Sequence, residues 1–103
     1  MGVGTVVEQL IKNKKIEELL TRNNVTMLGL FGSYSRGDET ETSDLDLLIK
    51  FTKGISLLAH IRLQRQLSEL LGREVDLVTE NSISPYLREK IMDELRVIYH
   101  AEG

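Results

Sequence analysis

Short apolar stretches and longer amphipathic ones alternate along the chain, which predicts strands separated by helices. Val25–Phe31 is mostly apolar and is typical of a buried strand. Residues 44–51 alternate strictly, so this strand has one apolar face, formed by Leu45, Leu47, Ile49 and Phe51. Its opposite face carries Asp44, Asp46, Leu48 and Lys50. Residues 74–79 predict a third strand, and residues 97–99 a short final one.

The predicted helices lie between these strands. Thr5 to Glu8 has the form of a capping box, so a first helix begins there and ends at Asn23-Asn24. Its apolar spacing stalls over residues 12–15, which predicts either a kinked helix or two short ones. Ser84-Pro85 begins a last helix that runs to about residue 95.

The helix in the middle of the chain has clear start and stop signals. Ser56 is its predicted N-cap, and Gly72 follows its last residue, Leu71. At about 100° per residue, its apolar residues form one broad arc, made up of Leu57, Ile61, Leu63, Leu67, Leu70 and Leu71. His60 projects into this arc, so packing or a partner contact is a better interpretation of it than catalysis. His100 is assigned to the C-terminal tail.

The order helix, strand, loop, strand, helix, strand, helix, strand predicts an α/β (α+β) fold with a small mixed β-sheet flanked by helices. The chain has 103 residues, of which 41% are apolar, so it fits one domain over residues 1–103. With 13 Lys and Arg against 16 Asp and Glu, the net charge is −3. This balance argues against binding nucleic acid through bulk charge.

Composition restricts the chemistry further. The absence of cysteine excludes disulfides, thiolate-bound zinc, iron–sulfur clusters and thiol catalysis. Two isolated histidines do not make a His-rich metal site, so carboxylates remain as ligands for a hard cation such as Mg²⁺ or Mn²⁺. The N-terminus lacks the pattern of a signal peptide, and no apolar run reaches the roughly 18 residues of a membrane span. We therefore expect a cytoplasmic domain that does not enter a membrane.

The candidate metal ligands are Asp44, Asp46 and Asp76. Asp44 and Asp46 are two residues apart on a strand and emerge on the same face. Two like charges at that spacing repel each other unless a cation lies between them. Asp76 interrupts an apolar strand in the same way as Asp46. If the two strands are neighbours, the three carboxylates converge into a site that holds two metal ions.

The candidate anion-binding residues precede these acids. Gly32 lets the backbone approach a ligand closely, and a turn beginning at Ser33 directs N–H groups and a hydroxyl at an anion. Arg36 adds a positive charge that meets a phosphate or braces the loop. Taken alone, Asp-x-Asp is usually a solvated strand face and Gly-Ser a turn. The full spacing, however, is expected by chance in about one chain in a thousand.

These residues resemble the nucleotidyltransferase superfamily that includes DNA polymerase beta. The family pattern is Gly-Ser, a ten-residue gap, Asp-x-Asp and a later acid, which here are Gly32-Ser33, Asp44, Asp46 and Asp76. The flanking Gly-Ser-Tyr-Ser-Arg-Gly is similar to that of the minimal members, the MNT proteins, although those often carry alanine at Ser35. The resemblance implies the nucleotidyltransferase fold and transfer of a nucleoside monophosphate from ATP or another NTP to a hydroxyl.

The resemblance also implies roles and partners. Asp44 and Asp46 would bind the Mg²⁺ ions, Asp76 would complete the second metal site and help deprotonate the acceptor, and Gly32 and Ser33 would contact phosphates. Stand-alone MNT proteins pair with a helical HEPN ribonuclease toxin and transfer AMP to its tyrosine. A non-catalytic antitoxin that neutralises its partner by binding is the alternative, and a polynucleotide nucleotidyltransferase is a weaker one. Exposed apolar helix faces are compatible with a homodimer or a toxin complex.

Overall fold

The computed structural model describes residues 12–32, Gly37 and residues 44–101. In chain order the elements are α1 (Lys14–Arg22), β1 (Val25–Phe31), β2 (Leu45–Phe51), α2 (Leu57–Leu71), β3 (Val75–Thr79), a 3₁₀ turn (Glu80–Ser82), α3 (Pro85–Glu94) and β4 (Arg96–His100). The predicted mixed sheet with flanking helices is confirmed. The main differences in the elements lie at the two ends of the chain.

The four strands of the described residues form one sheet in the order β3-β2-β1-β4. Strand β1 is antiparallel to both β2 and β4, whereas β2 and β3 are parallel and are joined by α2. A parallel pair requires a crossover connection, and a helix commonly provides it. The order places the acid-bearing strands β2 and β3 side by side, with β3 at the edge of the sheet.

The apolar core lies on the face of the sheet that α1 and α2 cover. The alternation predicted for β2 is confirmed, because Leu45, Leu47 and Ile49 are almost completely inaccessible to solvent. They pack in one cluster with apolar residues of β1, β3 and the two helices, including Leu20, Leu28, Leu30, Leu63, Leu67 and Leu77. Leu48 is also fully buried, although it lies on the face that carries Asp46, so the centre of that second face is shielded as well.

Helix α2 confirms the predicted caps and narrows the predicted apolar arc. The Ser56 hydroxyl accepts a hydrogen bond from Ala59 N at 3.1 Å, and Gly72 ends the helix in the left-handed conformation. Only Leu63, Leu67 and Leu71 are buried in this helix. Leu57, Ile61 and Leu70 are exposed, so the sheet covers only part of the predicted apolar arc. Leu57 and Ile61 lie roughly 80° and 120° around the helix from Leu67, outside the sector that meets the sheet.

Helix α1 begins later than the first capping signal. Asn13 has extended backbone angles, and its side chain accepts a hydrogen bond from Lys15 N at 2.8 Å, so it is the N-cap of a helix that begins at Lys14. The extended Asn13 shows that no helix continues without a break through residues 12–15. The capping box at Thr5 and Glu8 lies outside the described residues.

The C-terminal elements lie at the other edge of the sheet. Ser84 caps α3 and Pro85 occupies its first turn, as predicted. Strand β4 is longer than the predicted residues 97–99 and includes His100, which pairs with Met27 of β1. The assignment of His100 to a tail was therefore wrong. In the described part of the chain, no helix combines the length and hydrophobicity needed to span a membrane.

Candidate active site

Two of the three predicted metal ligands are direct neighbours in the sheet. The parallel register of β2 and β3 pairs Asp46 with Asp76, and the bond from Leu45 N to Glu74 O at 2.8 Å begins this register. Asp44 precedes β2 by one residue and is exposed, while Asp46 is half-buried and Asp76 exposed. The condition stated in the sequence analysis, that the two acid-bearing strands are neighbours, is thus met.

Three polar side chains of α2 hold β3 in this register. His60 Nε2 donates to Leu77 O at 2.7 Å, Gln64 Oε1 accepts from Leu77 N at 3.0 Å, and Ser68 Oγ accepts from Val75 N at 3.0 Å. These helix residues are four apart and form one row, which we call the α2 ladder. Because they bond the backbone on both sides of Asp76, they fix where that carboxylate lies.

The α2 ladder went largely unrecognised in the sequence. His60 was expected to pack or to contact a partner rather than to act in catalysis. In the structure it packs on β3 of its own domain and forms a hydrogen bond to the backbone there. Gln64 and Ser68 were not singled out. The available signal was three polar residues at spacing i, i+4, i+8 beside the apolar stripe of a helix.

Gly32 lies against Asp46 at the end of β1. Its φ is +76°, in the region where a side chain is strained, and a Cβ added to it would overlap Asp46 Oδ2. Glycine is therefore required both by backbone conformation and by the space that the carboxylate occupies. The group that lies against Gly32 in this structure is the Asp46 carboxylate, and the predicted approach of its backbone to a ligand stays a prediction.

Glu94 is a further acidic residue at this point. It is the last residue of α3, is half-buried, and its Oε2 accepts a hydrogen bond from Gly32 N at 3.3 Å. The two residues are 62 positions apart, and no pattern in the sequence connects them. Asp46 and Glu94 thus contact Gly32 from two elements of the fold.

The rest of the predicted nucleotide-binding loop lies outside the described residues. This holds for Ser33 and Arg36, for Tyr34 and Ser35, and for most of the acidic stretch that follows Gly37. Roles for Ser33 and Arg36 in binding phosphates therefore stay predictions. Gly32 is the member of the predicted set whose surroundings the structure describes.

The donor set suits a hard divalent cation. Carboxylate oxygens are the ligands that Mg²⁺ and Mn²⁺ prefer, and the register brings Asp46 and Asp76 next to each other. Within residues 12–32, Gly37 and 44–101, no three His, Cys, Asp or Glu side chains form a ready metal-binding group. The predicted three-carboxylate site with two ions stays a prediction, while the backbone arrangement fits at least a pair of ligands.

Comparison with known proteins agrees with this arrangement. The family model described as "Nucleotidyltransferase domain" matches residues 12–98. A Methanocaldococcus jannaschii protein that is provisionally named a protein adenylyltransferase is 46% identical over 81 residues, which cover 79% of this chain and 87% of that protein.

Two solved structures are similar in fold and sequence. A crystal structure of a toxin–antitoxin complex with AMP-PNP matches with a TM-score of 0.71 and 29% identity, over 85% of this chain and 73% of that one. A structure of the tri-AMPylated Shewanella oneidensis HEPN toxin in complex with MNT antitoxin matches with a TM-score of 0.66 and 28% identity, over 91% of this chain and 73% of that one.

Proposed function

The chain belongs to the nucleotidyltransferase domain family, and from that premise we propose that it transfers AMP from ATP to a hydroxyl of a protein, a HEPN-type toxin. The observation that carries the proposal is the pairing of Asp46 with Asp76 beside Gly32. It supports a site in which acids and a phosphate-binding loop meet. The AMPylated toxin in the similar complex supports the choice of acceptor.

ATP is the proposed donor, and its triphosphate lies over the acids. Gly32 and Ser33 contact the phosphates through backbone N–H groups and the serine hydroxyl, and Arg36 pairs with a phosphate oxygen. The AMP-PNP in the similar toxin–antitoxin structure supports an adenosine triphosphate as the ligand of this fold. Because the proposed donor is ATP, the cytoplasm is the proposed location of this activity.

Asp44, Asp46 and Asp76 are the proposed ligands of two Mg²⁺ ions. When bound, the ions would neutralise negative charge on the triphosphate and act as Lewis acids towards the acceptor oxygen. In the chain itself, the α2 ladder keeps Asp76 in register with Asp46. Asp46 and Asp76 are therefore opposite each other in the sheet before a substrate arrives, and a bound cation would relieve the repulsion between their charges.

The proposed transfer exchanges a phosphoanhydride bond of ATP for a phosphoester bond to the acceptor. The acceptor hydroxyl oxygen forms a bond to the α-phosphorus of ATP, while the bond from that phosphorus to the pyrophosphate oxygen breaks. The products are an AMP-modified protein and pyrophosphate. Asp76 is exposed at the sheet edge and is the group that we assign to take the proton of the acceptor hydroxyl.

Label transfer from α-labelled ATP with Mg²⁺ tests the proposal, with and without the protein encoded next to this one. We expect label on the neighbour, and a loss of about 100-fold or more in Asp46→Asn, which keeps the shape of the side chain and removes its charge. Asp93→Asn is the matched control, because Asp93 is an exposed acid of α3. Asp46→Asn that folds normally and still transfers label would contradict the proposal.

Stoichiometric binding is the second function, and the exposed apolar residues Leu57, Leu58 and Ile61 at the start of α2 favour it. In that case the chain would inhibit its partner by covering it, with transfer weak or absent. Equal inhibition by Asp46→Asn and the unmodified chain would support masking. Inhibition that requires both ATP and Asp46 would support modification.

A further inference from the structure

We propose that Glu94 is a positioning residue, which holds the backbone of Gly32 and so sets where the phosphate-binding loop leaves β1. The inference rests on the proposed function, because it assigns Glu94 a role at the nucleotide side of the same site. Its direct observation is the hydrogen bond from Gly32 N to Glu94 Oε2 at 3.3 Å.

The position of Glu94 is unfavourable for an acid on local grounds. It ends α3, and the last turn of a helix carries partial negative charge, so a carboxylate is disfavoured there. The last turn of α3 has no basic residue that would offset this cost. Glu94 also shares its neighbour Gly32 with the Asp46 carboxylate. Helix formation alone therefore does not favour an acid at this place.

The backbone of Gly32 is a group whose conformation a hydrogen-bond acceptor can restrain. Residues in the left-handed region are reached mainly by glycine, and glycine is also the residue with the most freedom to leave that region. An acceptor on its N–H restrains rotation of the peptide unit between Phe31 and Gly32. Asp46 Oδ2 occupies the space that a Cβ of Gly32 would need, so a rotation at Gly32 would affect both the Asp46 side chain and the direction in which the chain leaves β1.

The hydrogen bond, rather than the charge, is the working part of this contact. A neutral glutamine at position 94 offers an amide oxygen in the same place and lowers the repulsion from Asp46. An alanine offers no acceptor. These two substitutions therefore separate positioning from a role that needs the negative charge, such as binding a cation or competing with phosphate for the Gly32 N–H.

The test compares Glu94→Ala, Glu94→Gln and the control Asp93→Ala, whose side chain is exposed one residue earlier in α3. Loss of one hydrogen bond predicts a fall in kcat/KM for AMP transfer of about tenfold in Glu94→Ala. Glu94→Gln should stay within about threefold of the unmodified chain, and Asp93→Ala should not differ from it. Thermal unfolding of all three shows whether any loss comes from a failure to fold.

A second readout does not depend on transfer. The amide proton of Gly32, followed by NMR, should shift and exchange faster in Glu94→Ala, and keep its protection in Glu94→Gln. Unchanged transfer and unchanged Gly32 exchange in a folded Glu94→Ala would overturn the inference. So would equal losses in the alanine and glutamine variants, or tighter binding of Mg²⁺·AMP-PNP in Glu94→Ala, which would make Glu94 a competitor of phosphate.

The two proposals fail in different ways. If the unmodified chain transfers no label to its neighbour, the proposed function is wrong, but the Gly32 amide still reports on Glu94. If transfer is present and Glu94→Ala neither slows it nor alters the Gly32 amide, the proposed function stands and the positioning role is wrong.

Discussion

The two sides of the candidate site are built with very different strength. On the Asp76 side, the α2 ladder bonds β3 at three backbone groups, and α2 is anchored in the core by Leu63, Leu67 and Leu71. On the Gly32 side, a carboxylate of α3 accepts a hydrogen bond from Gly32 N at 3.3 Å, and no residue of α3 is buried. The carboxylates of β2 and β3 are thus placed by the rigid part of the molecule.

The difference in anchoring corresponds to two different tasks proposed for the site. Ligands for a cation must lie at fixed separations, and rigid strands and helices provide that precision better than loops. A segment that admits a nucleotide and then releases pyrophosphate benefits from lower local stability. The weakly anchored α3 is therefore consistent with adjustment at the Gly32 side while Asp46 and Asp76 keep their register.

The largest expected effect comes from Gly32→Ala, which adds a methyl group where Asp46 Oδ2 lies. The left-handed backbone alone costs about 1–2 kcal/mol for a residue with a side chain. We expect AMP transfer to fall by roughly 100-fold, because the displaced carboxylate belongs to the proposed metal site. Gly54→Ala is the control, since nothing lies within 4 Å of its added Cβ. Equal activity of the two variants would contradict the close fit at Gly32.

Gln64→Leu tests how the Asp76 side of the site is held. The substitution leaves Leu77 N without its acceptor in a strand residue that is 3% exposed, so urea unfolding should show a loss of about 1–3 kcal/mol. The same substitution at the exposed Gln66 is the control and should change stability little. If both variants unfold at the same urea concentration, the α2 ladder does not hold β3.

Hydrogen exchange compares the two sides directly. Backbone amides in the second half of α2, around Leu67, should exchange more slowly than those around Arg88 in α3, because α2 is anchored by buried leucines. Bound Mg²⁺ and AMP-PNP should slow exchange at Gly32 more than at Leu67. Equal protection of the two helices in the free chain would remove the contrast drawn above.

The smallest effect is expected for the ion pair between Lys50 and Glu80, whose charged atoms are 3.6 Å apart and whose side chains are 44% and 35% exposed. The pair links β2 to the turn after β3. Solvent screening limits such a pair, so Lys50→Ala should change the free energy of unfolding by less than about 0.5 kcal/mol. A loss of unfolding free energy as large as that of Gln64→Leu would show that the ion pair stabilises the position of β3 as much as the Gln64 hydrogen bond does.

The sequence predicted the half of the site that follows from strand periodicity. Strict alternation in β2 put Asp44 and Asp46 on the face opposite Leu45 and Leu47, and the acid in β3 completed the pattern once the two strands were neighbours. Period-two alternation defines faces without knowledge of the rest of the fold. The faces of β2 followed from local pattern alone, whereas the pairing of β2 with β3 came from the structure.

The contacts between distant elements were not predictable in the same way. The bond between Gly32 and Glu94 joins residues 62 positions apart, and a lone glutamate in a helix gives no signal of its target. Periodicity gave the direction of the apolar arc of α2 but not the part of it that the sheet covers. Leu57 and Ile61 belong to the apolar arc but are exposed in the structure.

The α2 ladder has a consequence for how this domain meets other chains. An exposed edge strand offers free N–H and C=O groups to which a foreign strand adds, in partner recognition or in aggregation. On β3 the outward N–H groups of Val75 and Leu77, and the Leu77 carbonyl, are already bonded to side chains of α2. The edge next to the acids is therefore closed to strand addition, and a partner must approach Asp76 with side chains rather than with backbone.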